Sequence, residues 1–572
     1  MKTSLSEGNR LFKNGYYDEA IKQYKESIKK WPDLRDILEF NINLANSKVN
    51  NKILKINNGE KTIKWGIMTP GHTSFVAFII SEQLKLHGWS VEILSESPQN
   101  YNHDYYIVIA HHIYKSLPPG EKRIVFQLEQ SVSSRWFTKE YLEVIKNSLC
   151  VLDYSLNNIK FLADQGIAYP LVHYLPIGIN INYGQNIDEC YGKKYDVLFY
   201  GDSLSSERRR IMLDALKEKF DVFVINNMFG DDMVKVIRQS KVVVNIHYYE
   251  NAILEMPRIQ ECLSLGVNVV SESTNDQSDY PEICDSVLFF ESGSIDSMLS
   301  AVGKALQIEN SNISISQDIS AKKFKFLFDR FLIAIGLLPT TQIECVSLPI
   351  SSNSNVFGLS MPETISRRLI FQETKPNYCE IFDGFRRSPG WVGCGLSYAA
   401  LANHALKNNI KHITIMEDDV ILPNNFDSDF KLINEFLESI SGEWDVFSGL
   451  IAVLHPDAKI ISVKKYQGKI FITIDKMTST VFNIYAQDAL EMFSMWDSTN
   501  LDPIENTIDK YLESQKSIKV VTTLPYFVGH REEVISTLWN FQNSQYNELI
   551  EKSEILLQNK LKKFLADGGD IK

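Results

Sequence analysis

At 572 residues the chain is too long for one hydrophobic core, and 44% hydrophobic with 23% charged residues is the composition of an ordinary globular protein. A formal net charge of −12 excludes a dedicated nucleic-acid surface, which needs a dense field of Lys and Arg, and leaves room only for a local basic pocket. The opening Met1-Lys2-Thr3-Ser4-Leu5-Ser6-Glu7 lacks the apolar stretch of a signal peptide, and no apolar run approaches the roughly 18–20 residues of a membrane span. Seven scattered cysteines form no C-x-x-C pair, which suits reduced thiols. The expectation is a cytoplasmic chain without a transmembrane segment, standing at most peripherally at the inner membrane face.

Gly8, Ala20, Tyr24 and Pro32 occupy the small, small, aromatic and helix-ending positions of a two-helix unit, with Gly15-Tyr16-Tyr17-Asp18 as its turn. The stretch Asn9–Asp33 resembles a tetratricopeptide repeat, in one full copy, with a capping helix expected over Leu34–Lys48. One repeat cannot bury its own apolar face, so residues 1–50 should dock on a neighbouring domain, pair in a homodimer, or take up a peptide. Asn57-Asn58-Gly59-Glu60 then reads as a turn-rich joint.

After the joint, strands and helix-length segments alternate. Strands are expected at Thr62–Met68, Ser90–Leu94, Tyr105–Ala110, Arg123–Gln127 and Cys150–Tyr154, with a helix over Ser74–His87. A second set follows at Tyr195–Gly201, Asp221–Ile225, Val242–Ile246 and Val267–Ser271. Two parallel sheets, over residues 61–180 and 181–310, predict a two-lobed α/β body whose cleft faces the carboxyl ends of the strands. Residues 311–355 read as a helical connector and 356–541 as a third α/β unit. The tail, 542–572, is an amphipathic helix that should pack through Leu549, Ile550, Ile555, Leu556, Leu561, Phe564 and Leu565.

Within the two-lobed body, Asn245-Ile246-His247 leads through a loop to Glu255-Met256-Pro257-Arg258, and the following helix ends in Glu261-Cys262-Leu263-Ser264-Leu265-Gly266. The pattern resembles the donor lobe of GT-B glycosyltransferases, with Glu261 at the head of the E-A-x-x-x-G helix, suited to ribose hydroxyls. Retaining members of family 4 carry a second Glu eight residues earlier, where this chain has Ile253, flanked by Glu250 and Glu255. Gly201 followed by Arg208-Arg209-Arg210 resembles the Gly-plus-basic element that meets the donor diphosphate. The resemblance thus implies donor-binding roles for Gly201, Arg208, His247, Glu255, Arg258 and Glu261. It places His72, in the loop after the first strand, on the acceptor side as a catalytic candidate, and it implies no metal. Phe126-Gln127-Leu128-Glu129-Gln130 ends a strand at the same rim and can shape the cleft.

The sharpest chemical signal lies further on: the apolar strand Ile413–Met416 runs into Glu417-Asp418-Asp419. Three adjacent carboxylates are electrostatically costly unless a cation sits among them. With Gly393-Cys394, Leu396-Ser397 and Val420-Ile421, and with Arg367-Arg368 and Phe382-Asp383-Gly384 upstream, the segment Phe357–His530 resembles glycosyltransferase family 25, a lipooligosaccharide galactosyltransferase-like group of GT-A fold. It departs from that family at Ser397-Tyr398, where Ser-His is usual. The resemblance implies that Glu417-x-Asp419 is the D-x-D-type motif, with Mn²⁺ or Mg²⁺ on Asp419, Glu417 and His530, and with Asp418 and Arg367 on the donor. A carboxylate must take the acceptor's proton; Asp509 is the first candidate and Asp502 the second.

The whole reads as a multidomain chain: a short all-α repeat, an α/β GT-B body of two Rossmann-like lobes, and an α/β GT-A unit. The expected function is a bifunctional glycosyltransferase. Its GT-A unit would be metal-dependent and inverting with a UDP-sugar, and its GT-B unit metal-independent. Both would act on a growing glycan, a lipid-linked glycan or a glycoprotein. The alternative is a single active GT-A enzyme with a degenerate GT-B binding module.

Overall fold

The computed structural model describes residues 8, 11, 17–31, 62–132, 135–187, 192–308, 313–515, 518–532 and 546–572. The chain forms two compact units, Met1–Thr62 with Ile335–Pro339, and Ile63–Ala334 with Thr340–Lys572. In the first, helix α1 (Tyr17–Lys30) buries Ala20, Tyr24 and Ser27, the i, i+4, i+7 face of a packed helix. Gly8 lies so close to the Tyr24 ring that a Cβ there would stand 2.8 Å from it. The turn at 15–16, Pro32, the expected capping helix at 34–48 and the joint at 57–60 lie outside the described residues.

The second unit holds three main sheets. The first comprises β1 (Lys64–Met68), β2 (Ser90–Leu94), β3 (Tyr105–Ile109), β4 (Arg123–Gln127), β5 (Cys150–Asp153) and β6 (Val172–Tyr174), all parallel, in the order β2-β1-β3-β4-β5-β6. The second comprises β7 (Tyr195–Tyr200), β8 (Val222–Ile225), β9 (Ser240–Asn245), β10 (Asn268–Glu272) and β11 (Val287–Phe290), also parallel, in the order β11-β10-β9-β7-β8. Continuous apolar runs such as Ile107-Val108-Ile109 and Val242-Val243-Val244 are buried, as strands covered on both faces require. The strands end within about one residue of the sequence-based expectation, except that β1 and β9 begin two residues later and earlier, respectively.

In each sheet the order reverses direction once, between β1 and β3 and between β7 and β9. Such switch points open a crevice at the carboxyl ends of the strands. Helices α2 (Ser74–Leu86) and α3 (Met256–Ser264) start just beyond these two crevices.

The stretch expected to be a connector is mainly one 22-residue helix, α4 (Ile313–Ala334). Its Gln317 donates to the Leu263 carbonyl (2.7 Å) and Ser320 pairs with Gln260 (3.0 Å), both on α3. Asp329 meets His87 Nε2 at 2.9 Å after α2, so the helix is tied to both lobes. Near its end, Arg330 is buried and forms a two-pronged pair with Glu363 (2.7 and 2.9 Å), while its Nε donates to the Gly384 carbonyl (2.6 Å).

Glu363 belongs to the third sheet's surroundings. That mixed sheet runs in the order β13-β12-β14-β19-β16-β20-β18-β17. Its members are β12 (Val356–Ser360), β13 (Glu380–Asp383), β14 (His412–Glu417), β16 (Val446–Ser448), β17 (Ile460–Tyr466), β18 (Lys469–Ile474), β19 (Phe482–Ala486) and β20 (Val520–Thr523). A small ladder, β15 (Val420–Ile421) with β21 (Gly529–His530), stands apart. Helices α5 (Ile365–Thr374) and α6 (Gly390–Lys407) flank the β12 end, and α7 (Ile508–Ser514) and α8 (Tyr546–Ala566) follow.

The tail helix corrects one expectation. Ser553 and Leu557 are its buried residues, Ser553 pairing with Tyr526 at 2.9 Å, whereas Leu549, Ile555 and Leu565 are exposed. Ile550 packs on the third unit's core as its apolar spacing suggests, and the contacts of Ser553 with Tyr526 and of Lys572 with β17 set a rotation that leaves those three out.

Removing one partner of a buried ion network leaves unpaired charge in the interior, at a cost of about 3–5 kcal/mol. Glu363→Ala strands Arg330 and Arg386 together, so its thermal unfolding should begin well below that of the parent chain. An unchanged unfolding curve would mean that both arginines are solvated without Glu363.

Candidate active sites

The third sheet has its own reversal between β12 and β14, whose strand ends carry Ser360 and Glu417. Asp418 is buried there, accepting from Ser360 Oγ (2.8 Å) and from Arg367 Nε (2.9 Å). Arg367, in the first turn of α5, also donates to Asp419 Oδ2 at 3.0 Å. On the other side of Asp419, the β15–β21 ladder sets His530 opposite Val420, which brings His530 Nε2 to 3.5 Å from Asp419 Oδ2. A histidine 111 residues away in sequence thereby joins the cluster through two short strands. The Tyr398 hydroxyl lies 3.1 Å from Glu417 Oε1, so a phenol makes the contact at the position where the resembling family has histidine.

The electrostatics are unbalanced. Burial, reinforced by the Asp419 charge, pushes the Glu417 carboxyl up to about 7. Burial also raises Asp418, against the pull of Arg367. Burial works on Asp419 in the same direction, but the hydrogen bond from His530 and the Arg367 charge outweigh it and hold that carboxyl below its ordinary value. Asp419 Oδ1 and His530 Nδ1 are both buried without a hydrogen-bond partner. Buried polar atoms are almost always satisfied, so two orphans on adjacent side chains mark a place for a further group. Among the described residues no set of three or more His, Cys, Asp or Glu is arranged to hold a metal ion by itself.

Two cavities meet at Arg367, Cys394, Glu417 and Asp419. One, of about 660 Å³, extends past Ser360, Met361 and Thr364. The other, of about 1140 Å³, extends past Thr480, Lys510, His530 and Tyr546, and Asp509 lines it. Asp502 does not: it is exposed, and its Oδ1 accepts from the Ile504 amide (2.8 Å) in a turn.

In the two-lobed body, a space of about 1130 Å³ lies at the two switch points. His72, Gly201, Glu255, Arg258 and Glu261 all line it. Gly201 sits at φ +130°, and a Cβ there would stand 3.0 Å from the Arg258 guanidinium, so the position accepts only glycine without displacement. Glu261 accepts from the hydroxyls of Tyr183 and Tyr200 (3.0 Å each), and burial raises its carboxyl. Burial would raise Glu255 too, but Arg258, His247 and Arg209 together hold it well below the carboxylate range. Burial lowers the His72 imidazole.

Arg208 and His247 do not line this space, although His247 Nδ1 stands 3.7 Å from Glu255 Oε1. The Arg208 guanidinium pairs with Glu272 and donates to the His247 carbonyl (3.1 Å), while the His247 amide donates to Glu272 Oε2 (3.0 Å). Neither lines the cleft, because the buried Glu272 draws both inward. Ile253, where family 4 members have glutamate, is buried, and its carbonyl accepts from Gln130 across the lobes (3.2 Å).

Glu129 is a cleft carboxylate whose chemistry the sequence left unassigned; its only signal was its place two residues beyond a strand end. It lines the cleft, its carboxyl is raised by burial, and His112 Nε2 is 3.7 Å away. Its backbone carbonyl is held by Gln127 (2.9 Å) and Asn158 (3.0 Å), the same two amides that donate to Asp153.

Residues 351–482 match glycosyltransferase family 25 (LPS biosynthesis protein), a segment that contains β12–β14, Arg367 and the 417–419 carboxylates. The match indicates a glycosyltransferase. No curated protein matches the chain. Among solved structures, HepE of Anabaena with UDP and glucose is 12% identical over 48% of this chain and 98% of its own, at a TM-score of 0.32. Sucrose-phosphate synthase of Thermosynechococcus elongatus gives 11%, 48%, 96% and 0.29, and WaaG, a glycosyltransferase involved in lipopolysaccharide biosynthesis, gives 12%, 47%, 95% and 0.28. Likeness this slight decides nothing about the reaction. Among the described residues no helix is long and apolar enough to cross a membrane.

Burial pushes the Asp153 carboxyl, behind the Glu129 loop, up to about 8. Its ordinary value is about 3.9, so the folded state holds the extra proton between the two. The resulting stability is full below about pH 4 and is lost as pH rises through about 8. Asp153→Asn removes that dependence whatever its fixed offset. The unfolding free energy from urea titration should fall from pH 5 to pH 8 by about 3–4 kcal/mol more in the parent than in the variant; parallel profiles would sink the assignment.

Proposed function

We propose that the third α/β unit transfers a sugar from a nucleoside-diphosphate donor, a UDP-sugar, to an acceptor hydroxyl with inversion. The observation that carries this reading is the orphaned Asp419 Oδ1, buried among excess carboxylate at the switch point of the sheet. The donor set suits Mn²⁺ or Mg²⁺, which needs one or two protein carboxylates when diphosphate and water complete its shell. Asp419 would hold the ion, with Glu417 acting directly or through water. His530 with its proton on Nε2 toward Asp419 would leave the Nδ1 lone pair free. When bound, the ion neutralises charge that grows on the departing diphosphate. Arg367 and Asp418 fix the donor end of the pocket. Asp509, lining the adjoining cavity, takes the acceptor proton.

The two-lobed body is read as a second, metal-independent transferase. Arg258 and the Gly201 backbone would face the diphosphate, Glu261 the ribose, and His72 and Glu129 the acceptor side. Its acceptor would be the same growing glycan, whether free, lipid-linked or on a glycoprotein, with the N-terminal repeat serving docking or homodimerisation. The burial of Ile253 favours a second reading, in which this body binds nucleotide or glycan without transferring.

The test is hydrolysis of a panel of nucleotide sugars, with Mn²⁺ and with EDTA, by the parent chain and Asp419→Ala. Loss of one charge-stabilising group at such a centre costs about a hundredfold or more. One donor consumed only with metal and only by the parent, and another consumed regardless, is the result expected of two active units. Abolition of all turnover by EDTA and by Asp419→Ala would leave the two-lobed body as a binding module. Turnover indifferent to both would overturn the metal reading.

A further inference from the structure

The 660 Å³ cavity beside the 417–419 carboxylates is not walled by the third unit alone. Tyr169 lines it, and Tyr169 belongs to the loop before β6 of the first sheet. This loop is locked onto the third unit. Arg386 is buried, donates to the carbonyls of Val172 and Pro170 (2.6 Å each), and lies 3.2 Å from Glu363 Oε1. Glu363 in turn accepts from the Tyr174 amide (3.0 Å). The Arg386 guanidinium stands 4.7 Å from the Tyr169 ring centroid, so the ring rests on a fixed cation.

We propose that Tyr169, supplied by the first sheet, is the aromatic platform for the nucleobase of the donor bound at the third unit. The inference rests on the nucleotide reading of that cavity. One part of the cavity carries Arg367 and the carboxylates, which suits diphosphate and metal. The cation against the Tyr169 ring is Arg386, which is already committed to Glu363 and to the Val172 and Pro170 carbonyls. A planar π surface on the wall of a nucleotide pocket suits a base, because every base presents a π face. Its ring is held by groups that are themselves buried and bonded, so stacking costs little additional ordering. The third unit's donor site is therefore completed by the preceding body.

The experiment is calorimetric titration of the full-length protein, in Mn²⁺, with UDP, CDP, GDP and ADP in turn. The binding component lost in Asp419→Ala defines the third unit's site and separates it from any binding in the two-lobed cleft. Tyr169→Ala and Tyr169→Leu should weaken that component about tenfold, and Tyr169→Phe should keep it within about twofold. Tyr169→Leu retains bulk but no π face, so it carries the test if the alanine variant fails to fold, with its melting curve as the check. An Asp419-dependent component that is unchanged in the leucine variant overturns the role of Tyr169 and leaves the nucleotide reading intact. No Asp419-dependent component for any of the four nucleotides removes that reading, and the inference with it.

Discussion

The second unit depends on one buried carboxylate. Glu363 takes the guanidinium groups of Arg330 and Arg386 and the Tyr174 amide, and these three partners come from the long helix α4, the third sheet's loop after β13, and the first sheet. A lone buried carboxylate would be expelled or protonated; with two arginines its carboxyl is instead held well below the ordinary range against the effect of burial. Such a network contributes little net stability compared with apolar packing of the same volume. Its consequence is register: only one placement of the three elements satisfies all its hydrogen bonds.

That register matters because each cavity lies where a sheet reverses its order, and such crevices are only as well shaped as the elements around them are fixed. Asn158 and Gln127 support Glu129 from behind, and Tyr183 and Tyr200 orient Glu261. The carboxylates at 417–419 are the opposite case. Arg367 and His530 satisfy part of their demand, and an orphaned oxygen and a ring nitrogen remain. Interior electrostatics left incomplete in this way reduce stability and raise affinity for whatever cation completes them.

The strands and most helices were legible because both parallel sheets consist of short apolar runs separated by helix-length segments, and Gly201 and Glu261 could be placed from the strand–loop–helix pattern around them. What the pattern did not reveal has a common physical origin. Arg208 and His247 share that pattern, but Glu272, a residue with no local signal, draws them inward. The tail helix has apolar residues on more than one face, and contacts with Tyr526 and β17 choose among them. His530 could be suspected only through family resemblance, since its neighbour Asp419 is reached by a two-residue ladder too short to leave a sequence pattern. Tyr169 had no signal at all, because its role depends on two bodies meeting.

The helix α4 also constrains how two transferase sites could cooperate. A flexible linker between catalytic units raises the effective concentration of one site's product at the other, falling off slowly with linker length. Here residues 313–334 are bonded to both lobes and to Glu363, so the separation of the clefts is set by packed structure rather than by a tether. Opening of the two-lobed cleft by lobe rotation would have to break Gln317–Leu263 and Gln260–Ser320, or Asp329–His87, since each lobe is fastened to a different stretch of the same helix. Because the third unit is bound to the first sheet through Arg386 and to α4 through Arg330, any such rotation is best accommodated by the second sheet alone. That assigns motion to the lobe carrying Gly201, Arg258 and Glu261, and keeps the Tyr169 wall of the other cavity still while it happens.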